Sequence, residues 1–227
     1  MESVFTSWSG GKDCCFACYH ALERGLDVRY LANMVSGGGK RSYSHGLSPQ
    51  ILEAQAEAIG IPLIQQRARR NSYEEKFKKM LKSFKEEGIA GGVFGDIDLA
   101  EHRHWIERVC SDVGVTPYLP LWGKQQMEIM EEFIDLGFNA IVVAARAEIF
   151  GREWLGRRVD REFIRYVESL SRSREVTPCG EAGEYHTLVV DGPIFRKRLD
   201  VIRSRRIQRD GRWFLSVLEA VPVGKGA

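Results

Sequence analysis

Apolar residues recur along this chain in two alternating rhythms. Ser3 to Trp8 predicts a short strand. Cys14 to Arg24 then places Phe16, Ala17, Tyr19, His20 and Leu22 at helical spacing, until Gly25 stops it. Val28 to Val35 predicts a second strand, with Leu31, Ala32 and Met34 inside it. Ser36 to Leu47 is polar and glycine-rich and has no period, so it reads as a loop long enough to carry function. Ser48 and Pro49 suit a helix start and Gly60 its end. Pro62 to Gln66 is a strand. Ser72 to Glu87 is an amphipathic helix with Phe77, Met80, Leu81 and Phe84 on one stripe. Gly92 to Gly95, Thr116 to Leu119 and Ala140 to Ala144 read as further strands, with helices over His102 to Val113 and Lys124 to Leu136 between them. Strand and helix at these intervals predict an α/β fold: a mostly parallel sheet with helices on both faces.

The texture changes after residue 145. Glu148 to Leu155 and Asp160 to Ser173 look helical, and Thr187 to Val190 is a strand. Leu199 to Arg209 and Trp213 to Ala220 alternate loosely around Asp210-Gly211, a hairpin signal. The expected organisation is therefore a first domain over 1–125 and a smaller α+β domain over 126–227.

Composition narrows the class. The 227 residues are 44% apolar and 28% charged, which excludes a disordered chain or a rod. The formal charge is +2, less basic than a nucleic-acid binder usually is, so nucleic acid is not an expected partner. The arginines are clustered, however: Arg67, Arg69 and Arg70; Arg157, Arg158 and Arg161; and the stretch from Arg196 to Arg209. No apolar run reaches the ~20 residues that cross a bilayer. Ser9-Gly10-Gly11 breaks any signal-peptide pattern, so no membrane association and a cytoplasmic location are expected. Five cysteines (Cys14, Cys15, Cys18, Cys110, Cys179) in such a compartment read as buried thiols rather than a disulfide framework. The sequence leaves room for a homodimer.

The chemistry is expected where the first strand meets the first helix, at Ser9-Gly10-Gly11-Lys12-Asp13. Adjacent glycines let an anion approach the backbone, and a helix N-terminus offers N–H groups and a positive dipole end. Ser9 adds a hydroxyl and Lys12 a mobile charge for a phosphate. Asp13 either holds the loop or binds Mg²⁺. Neither the Walker A nor the dinucleotide glycine pattern is present. Asp96 follows a short strand, and ligands of parallel sheets bind at such strand ends. Glu181 and Glu184 lie three residues apart on a glycine-rich loop that can project both acids to one side. They suit Mg²⁺, an ammonium, or a proton from attacking ammonia. His186 opens an apolar strand, either as a structural histidine or as a contact to an acyl group.

These segments resemble the N-type ATP pyrophosphatases, and within them the diphthine–ammonia ligase family. The phosphate loop carries the first likeness, with Cys14 where the commonest form has Ser. Ser42-Tyr43-Ser44-His45, Gly95-Asp96-Ile97, Arg103, Glu107, Cys110, the run Pro117 to Trp122, and Cys179 to Thr187 with Asp191-Gly192-Pro193 and Phe195 carry the second. The likeness runs from about residue 3 to about residue 200. Ala182 and His186 depart from the usual motif, which has Gly and Glu there.

The resemblance implies a Rossmann-like parallel sheet of the HUP type with a pyrophosphate loop. It implies ATP and Mg²⁺, and amidation of a carboxylate through an acyl-adenylate: diphthine, ammonium and ATP giving diphthamide, AMP and diphosphate. The implied partners are elongation factor 2, bearing diphthine, and free ammonium. Lys12, Asp96, Glu181, Glu184 and His186 would be catalytic. Ser9, Gly10, Gly11, Lys12, Asp13, Cys14, Met34, Ser42, His45, Gly95 and Arg103 would bind the nucleotide, and Asp13 and Asp96 the metal. The alternatives are amidation of another substrate such as a cobalamin precursor, a tRNA-modifying ATP pyrophosphatase, or a non-catalytic adenine-nucleotide binder.

Overall fold

A computed structural model describes residues 1–39, 46–172 and 176–226. Five parallel strands form the first sheet, in the order β3-β2-β1-β4-β5. They are β1 (Ser3–Ser7), β2 (Asp27–Ser36), β3 (Leu63–Ala68), β4 (Gly91–Val93) and β5 (Thr116–Tyr118). Successive strand residues face opposite sides of the sheet. Val4 accordingly enters one core and Phe5 the other. The Phe5 side is covered by α3 (Tyr73–Glu86) and α4 (Ala100–Val113), through the stripe of Phe77, Met80, Leu81 and Phe84. The Val4 side is covered by α1 (Lys12–Glu23) and α2 (Pro49–Ile59). Chain order reverses at β1, between β2 and β4, and that reversal opens a crevice at the carboxyl ends of those strands.

Local signals set the helix ends. Gly25 closes α1 at φ 77°, with Leu26 N–H returning to the Ala21 carbonyl at 3.0 Å. Pro49 stands in the first turn of α2, and Gly60 closes it at φ 85°.

The second sheet is antiparallel, in the order β7-β6-β9-β8. It contains β6 (Asn139–Arg146), β7 (Tyr185–Asp191), β8 (Lys197–Arg209) and β9 (Arg212–Gly224). Asp210 and Gly211 both take positive φ, 50° and 72°, as the turn between two twisted strands requires. The helices α5 (Gln126–Asp135) and α6 (Arg161–Ser171) pack with this sheet, and their apolar faces join the core that holds α1 and α2.

Two expectations are corrected. The apolar strand near Ala140 continues the strand–helix rhythm in sequence, yet it pairs antiparallel with β7 and β9 rather than extending the parallel sheet. Glu148 to Leu155 is not a helix. Gly151 is extended (φ −72°, ψ 160°), leaving one 3₁₀ turn at Arg152–Trp154, while Phe150, Trp154 and Leu155 are all buried. Among the described residues no helix is long and apolar enough to cross a membrane.

One buried polar side chain ties the two sheets together. Gln55, fully buried on α2, accepts from Trp8 Nε1 at 2.9 Å. It donates to the carbonyls of Gly10 (3.0 Å) and Val189 (2.7 Å). Gln55→Leu strands the Trp8 indole N–H and the Val189 carbonyl in the core. A stability loss of about 2–3 kcal/mol is expected. Urea unfolding of the two proteins checks it, and an unchanged midpoint would remove Gln55 from this role.

Candidate active site

The loop from Ser9 to Asp13 is shaped from three directions. Gly10 takes φ 82°, and a Cβ there would lie 2.6 Å from Leu52 and 2.9 Å from the Gln55 side-chain oxygen. Its carbonyl also accepts from Val189 N–H at 3.0 Å. Gly11 is the N-cap of α1. Cys14 Sγ accepts from the Ser9 N–H and hydroxyl, both at 3.4 Å, and donates to the Gly11 carbonyl at 3.2 Å. Burial opposes ionisation of this thiol, but hydrogen bonds from Cys15 and Ser9 outweigh it and hold its pKa below the ordinary cysteine value. The thiol thus ties the loop as a hydroxyl would. Cys15 and Cys18 are fully buried and free, and burial pushes Cys18 up to about 12.

Lys12 departs from its expected role as a mobile charge. Its ammonium bonds both oxygens of Asp13, at 2.8 and 2.9 Å, and also the Cys179 carbonyl. The nitrogen stands 5.4 Å from the Tyr185 ring centroid. Only 3% of the residue is exposed. Burial works against the charge, and Asp13 more than compensates, so the pKa stands above the usual lysine value. Lys12 N–H donates to Thr187 Oγ1 at 3.0 Å, so β7 supplies a hydroxyl to the amides that begin α1.

A cleft of about 220 Å³ opens above this loop. Ser9, Lys12, Asp13, Cys14, Met34, Gly95, Asp96, Glu181 and His186 line it, as residues named from the sequence. Gly95 makes this convergence possible. A Cβ there would lie 2.7–2.9 Å from backbone atoms of Asp13 and Cys14, so only glycine lets the end of β4 touch the start of α1. Asp96 then reaches the cleft, its Oδ1 3.0 Å from His102 Nδ1. That hydrogen bond raises the His102 pKa. Glu181 comes from the loop before β7, where Gly180 and Gly183 both have φ 75°. Arg212 donates to the Gly183 carbonyl at 2.8 Å and Arg146 to the Ala182 carbonyl, fixing the outer side of that loop. Burial lifts the Glu181 carboxyl to about 7, with the charges of Asp13 and Asp96 adding to it against Lys12.

Other named residues lie elsewhere. Glu184 does not project beside Glu181. It is fully buried at the root of β7, where Oε1 accepts from Thr177 N–H at 2.6 Å. Its Oε2 has no hydrogen-bond partner among the described residues. Gly10 and Gly11 shape the loop without lining the cleft. Arg103 pairs with Glu107 at 2.6 Å and lies 5.0 Å from the Trp122 ring, also outside the cleft wall. Ser42 and His45 lie outside the described residues.

The sequence did not single out His102, Asn33 or Tyr73, which line the same cleft, and it gave Thr187 no role of its own there. Asn33 is 3% exposed, and its Nδ2 donates to the Trp8 carbonyl at 2.6 Å. A signal existed for Gln55: it falls on the apolar stripe of α2 with Ile51, Leu52 and Ile59. His102 carries no such mark.

Among the described residues no group of three or more His, Cys, Asp or Glu side chains is placed to hold a metal. Asp13 is engaged by Lys12, and Asp96 by His102. These donors do not form a resident metal cage. They fit a Mg²⁺ ion that brings most of its ligands with it, as waters and phosphate oxygens.

Glu181 holds its proton more tightly in the folded chain than in the unfolded one. Its contribution to stability is full below pH 4.5 and is lost as pH rises through about 7. Wild type should therefore lose more stability than Glu181→Gln between pH 5 and pH 8, as read from urea midpoints. Equal losses would mean that the carboxylate titrates normally.

Comparison with known proteins places the chain in a family. Residues 2–117 match the model for the diphthamide synthase N-terminal domain, and residues 125–223 that for its C-terminal domain. A diphthine–ammonia ligase of Danio rerio is 30% identical over 214 residues, covering 84% of this chain and 83% of that protein. The Mus musculus protein of the same name is 29% identical, covering 92% and 86%. The Schizosaccharomyces pombe one is 28% identical over 84% of this chain, which spans only 34% of that longer protein. A solved structure from Methanocaldococcus jannaschii, described as a predicted subunit of tRNA methyltransferase, aligns at TM-score 0.48 with 16% identity, over 85% of this chain and 98% of that one. Both domains of one family are matched in order along a single polypeptide, and this chain belongs to the diphthamide synthase family.

Proposed function

We propose that this protein is an ATP-dependent ligase that amidates the carboxylate of diphthine with ammonium, giving diphthamide, AMP and diphosphate. The observation that carries this reading is one cleft in which a glycine-built loop at a helix N-terminus meets a carboxyl group whose pKa stands near neutrality. The relatives named above are diphthine–ammonia ligases, which supports the same substrate pair.

A carboxylate does not exchange its oxygen for ammonia usefully in water, because the oxygen is a poor leaving group. Transfer of AMP onto that oxygen supplies one. In this reading the β- and γ-phosphates lie against the amides at the start of α1, beside Ser9 and the Lys12 ammonium. Lys12 is held in position by Asp13 and the Cys179 carbonyl, so no reorganisation is needed when charge develops on the departing pyrophosphate. Mg²⁺, when bound with ATP, neutralises phosphate charge, and Asp13 and Asp96 are the residues that would hold it. Met34 and Ala32, on β2, would meet the adenosine. Glu181, near neutral pKa, would take the proton that ammonium must shed before it attacks. Glu184 would act indirectly by pinning the loop that carries Glu181. The half-buried cleft limits hydrolysis of the adenylate. Elongation factor 2 would present the diphthine side chain at the cleft mouth.

Pyrophosphate release with ATP, Mg²⁺ and ammonium, with and without diphthine-bearing elongation factor 2, tests the reading. Release should depend on that substrate. Lys12→Ala should weaken ATP binding about tenfold or more. Glu181→Gln should leave ATP binding nearly unchanged and slow amide formation by roughly 100-fold. ATP binding without substrate-dependent pyrophosphate release would leave a nucleotide binder and end the ligase assignment.

A further inference from the structure

A second cavity, of about 340 Å³, adjoins the cleft and shares Tyr73, Asp96 and His102 with it. Its remaining wall is largely aromatic: Phe77, Phe94 and Trp105. The rings pack on one another. Phe77 and Trp105 centroids are 5.4 Å apart, and Tyr73 and Trp105 5.9 Å. Trp105 Nε1 donates to Glu74 at 3.0 Å, and Glu74 is itself held by two 2.7 Å bonds from Arg108 and one from Lys78. With its N–H spent outside, Trp105 offers the cavity carbon surface only, in a fixed orientation.

The charge of this wall is selective. Among the described residues no lysine or arginine lines the cavity to pair with a phosphate. Its charged groups are the Asp96 carboxylate and the His102 imidazole bonded to it. Aromatic faces suit a cation, and most of all one without N–H groups to satisfy. A primary ammonium would forfeit hydrogen bonds to water here, whereas a quaternary ammonium has none to lose.

We infer that this aromatic annex binds a quaternary ammonium group of the acyl substrate. The inference rests on the ligase reading for its ligand, because diphthine carries a trimethylammonio group on the carbon next to the carboxylate to be amidated. With the ammonium in the annex, the carboxylate remains in the shared zone beside Tyr73 and the His102 imidazole, open to the loop that begins at Ser9. The annex thus selects the fully methylated side chain over an unmethylated amino acid before any bond is made.

Equilibrium dialysis of the full chain with radiolabelled glycine betaine, the smallest trimethylammonio carboxylate, tests this. Glycine and ATP are run in parallel. Glycine betaine should bind at least tenfold more tightly than glycine. Trp105→Leu should weaken betaine roughly tenfold while ATP affinity changes less than threefold. Trp105→Phe, which keeps a ring and guards against a folding defect, should restore most of the betaine binding. Equal affinity for betaine and glycine, or no betaine binding, overturns the inference. So does an equal loss of ATP and betaine binding in Trp105→Leu relative to Trp105→Phe, which would assign the annex to the adenine base. If ATP fails to bind wild type, the ligase reading falls, and the betaine arm still decides the annex by itself.

Discussion

The carbonyl of Gly10 accepts two hydrogen bonds at once, from Val189 N–H on the second sheet and from Gln55 Nε2 on α2. That single oxygen fixes the loop of residues 9–13 between two sheets that have no strand in common. The neighbouring Lys12 amide is bound to Thr187 Oγ1, two residues earlier on the same strand. An anion-binding loop needs its N–H groups aimed outward before the ligand arrives, since aiming them afterward costs the interaction its strength. Here the aim is set by β7. The second sheet is therefore part of that loop's own scaffold, besides contributing a wall to the cleft.

The same junction explains the electrostatics. Three carboxylates, Asp13, Asp96 and Glu181, converge on a small cleft against one lysine and two histidines, His102 and His186. Lys12 is committed to Asp13, and His102 to Asp96. Among the described residues Glu181 has no ion-pair partner of its own, and burial raises it to about 7. A proton acceptor near neutrality is what an ammonium substrate needs, and here its tuning follows from burial and from the two neighbouring carboxylates. A polyphosphate entering such a cleft adds negative charge. That accounts for why the proposed nucleotide would enter with its metal rather than find one waiting.

Glycine and aromatic residues divide the remaining labour. Gly95 permits contact between β4 and the start of α1, and so brings Asp96 and His102 to the rim. On the far side of that rim, the packing of α3 against α4 leaves Tyr73 and Trp105 partly buried beside the cleft. The same stripe that buries Phe77 and Phe84 therefore also walls the annex.

The sequence by itself determined the local features. The Gly10-Gly11 loop at the end of β1, the glycine stops at Gly25 and Gly60, the α3 stripe and the Asp210-Gly211 turn each depend on residues within a few positions of one another. Periodicity and turn chemistry reach that far. The residues quoted around Glu181 also marked the second half of the cleft. Tertiary structure alone decided the rest. Ala140 to Ala144 has the apolar run of a parallel strand, and only its partners β7 and β9 put it in the other sheet. Glu181 and Glu184 look equivalent in sequence, but one reaches the cleft and the other is spent on Thr177 N–H. Lys12 meets Thr187 across 175 residues of chain. Contacts of that range leave no periodic trace in a single sequence, because they are selected by the packing of whole sheets rather than by the backbone preferences of neighbouring residues.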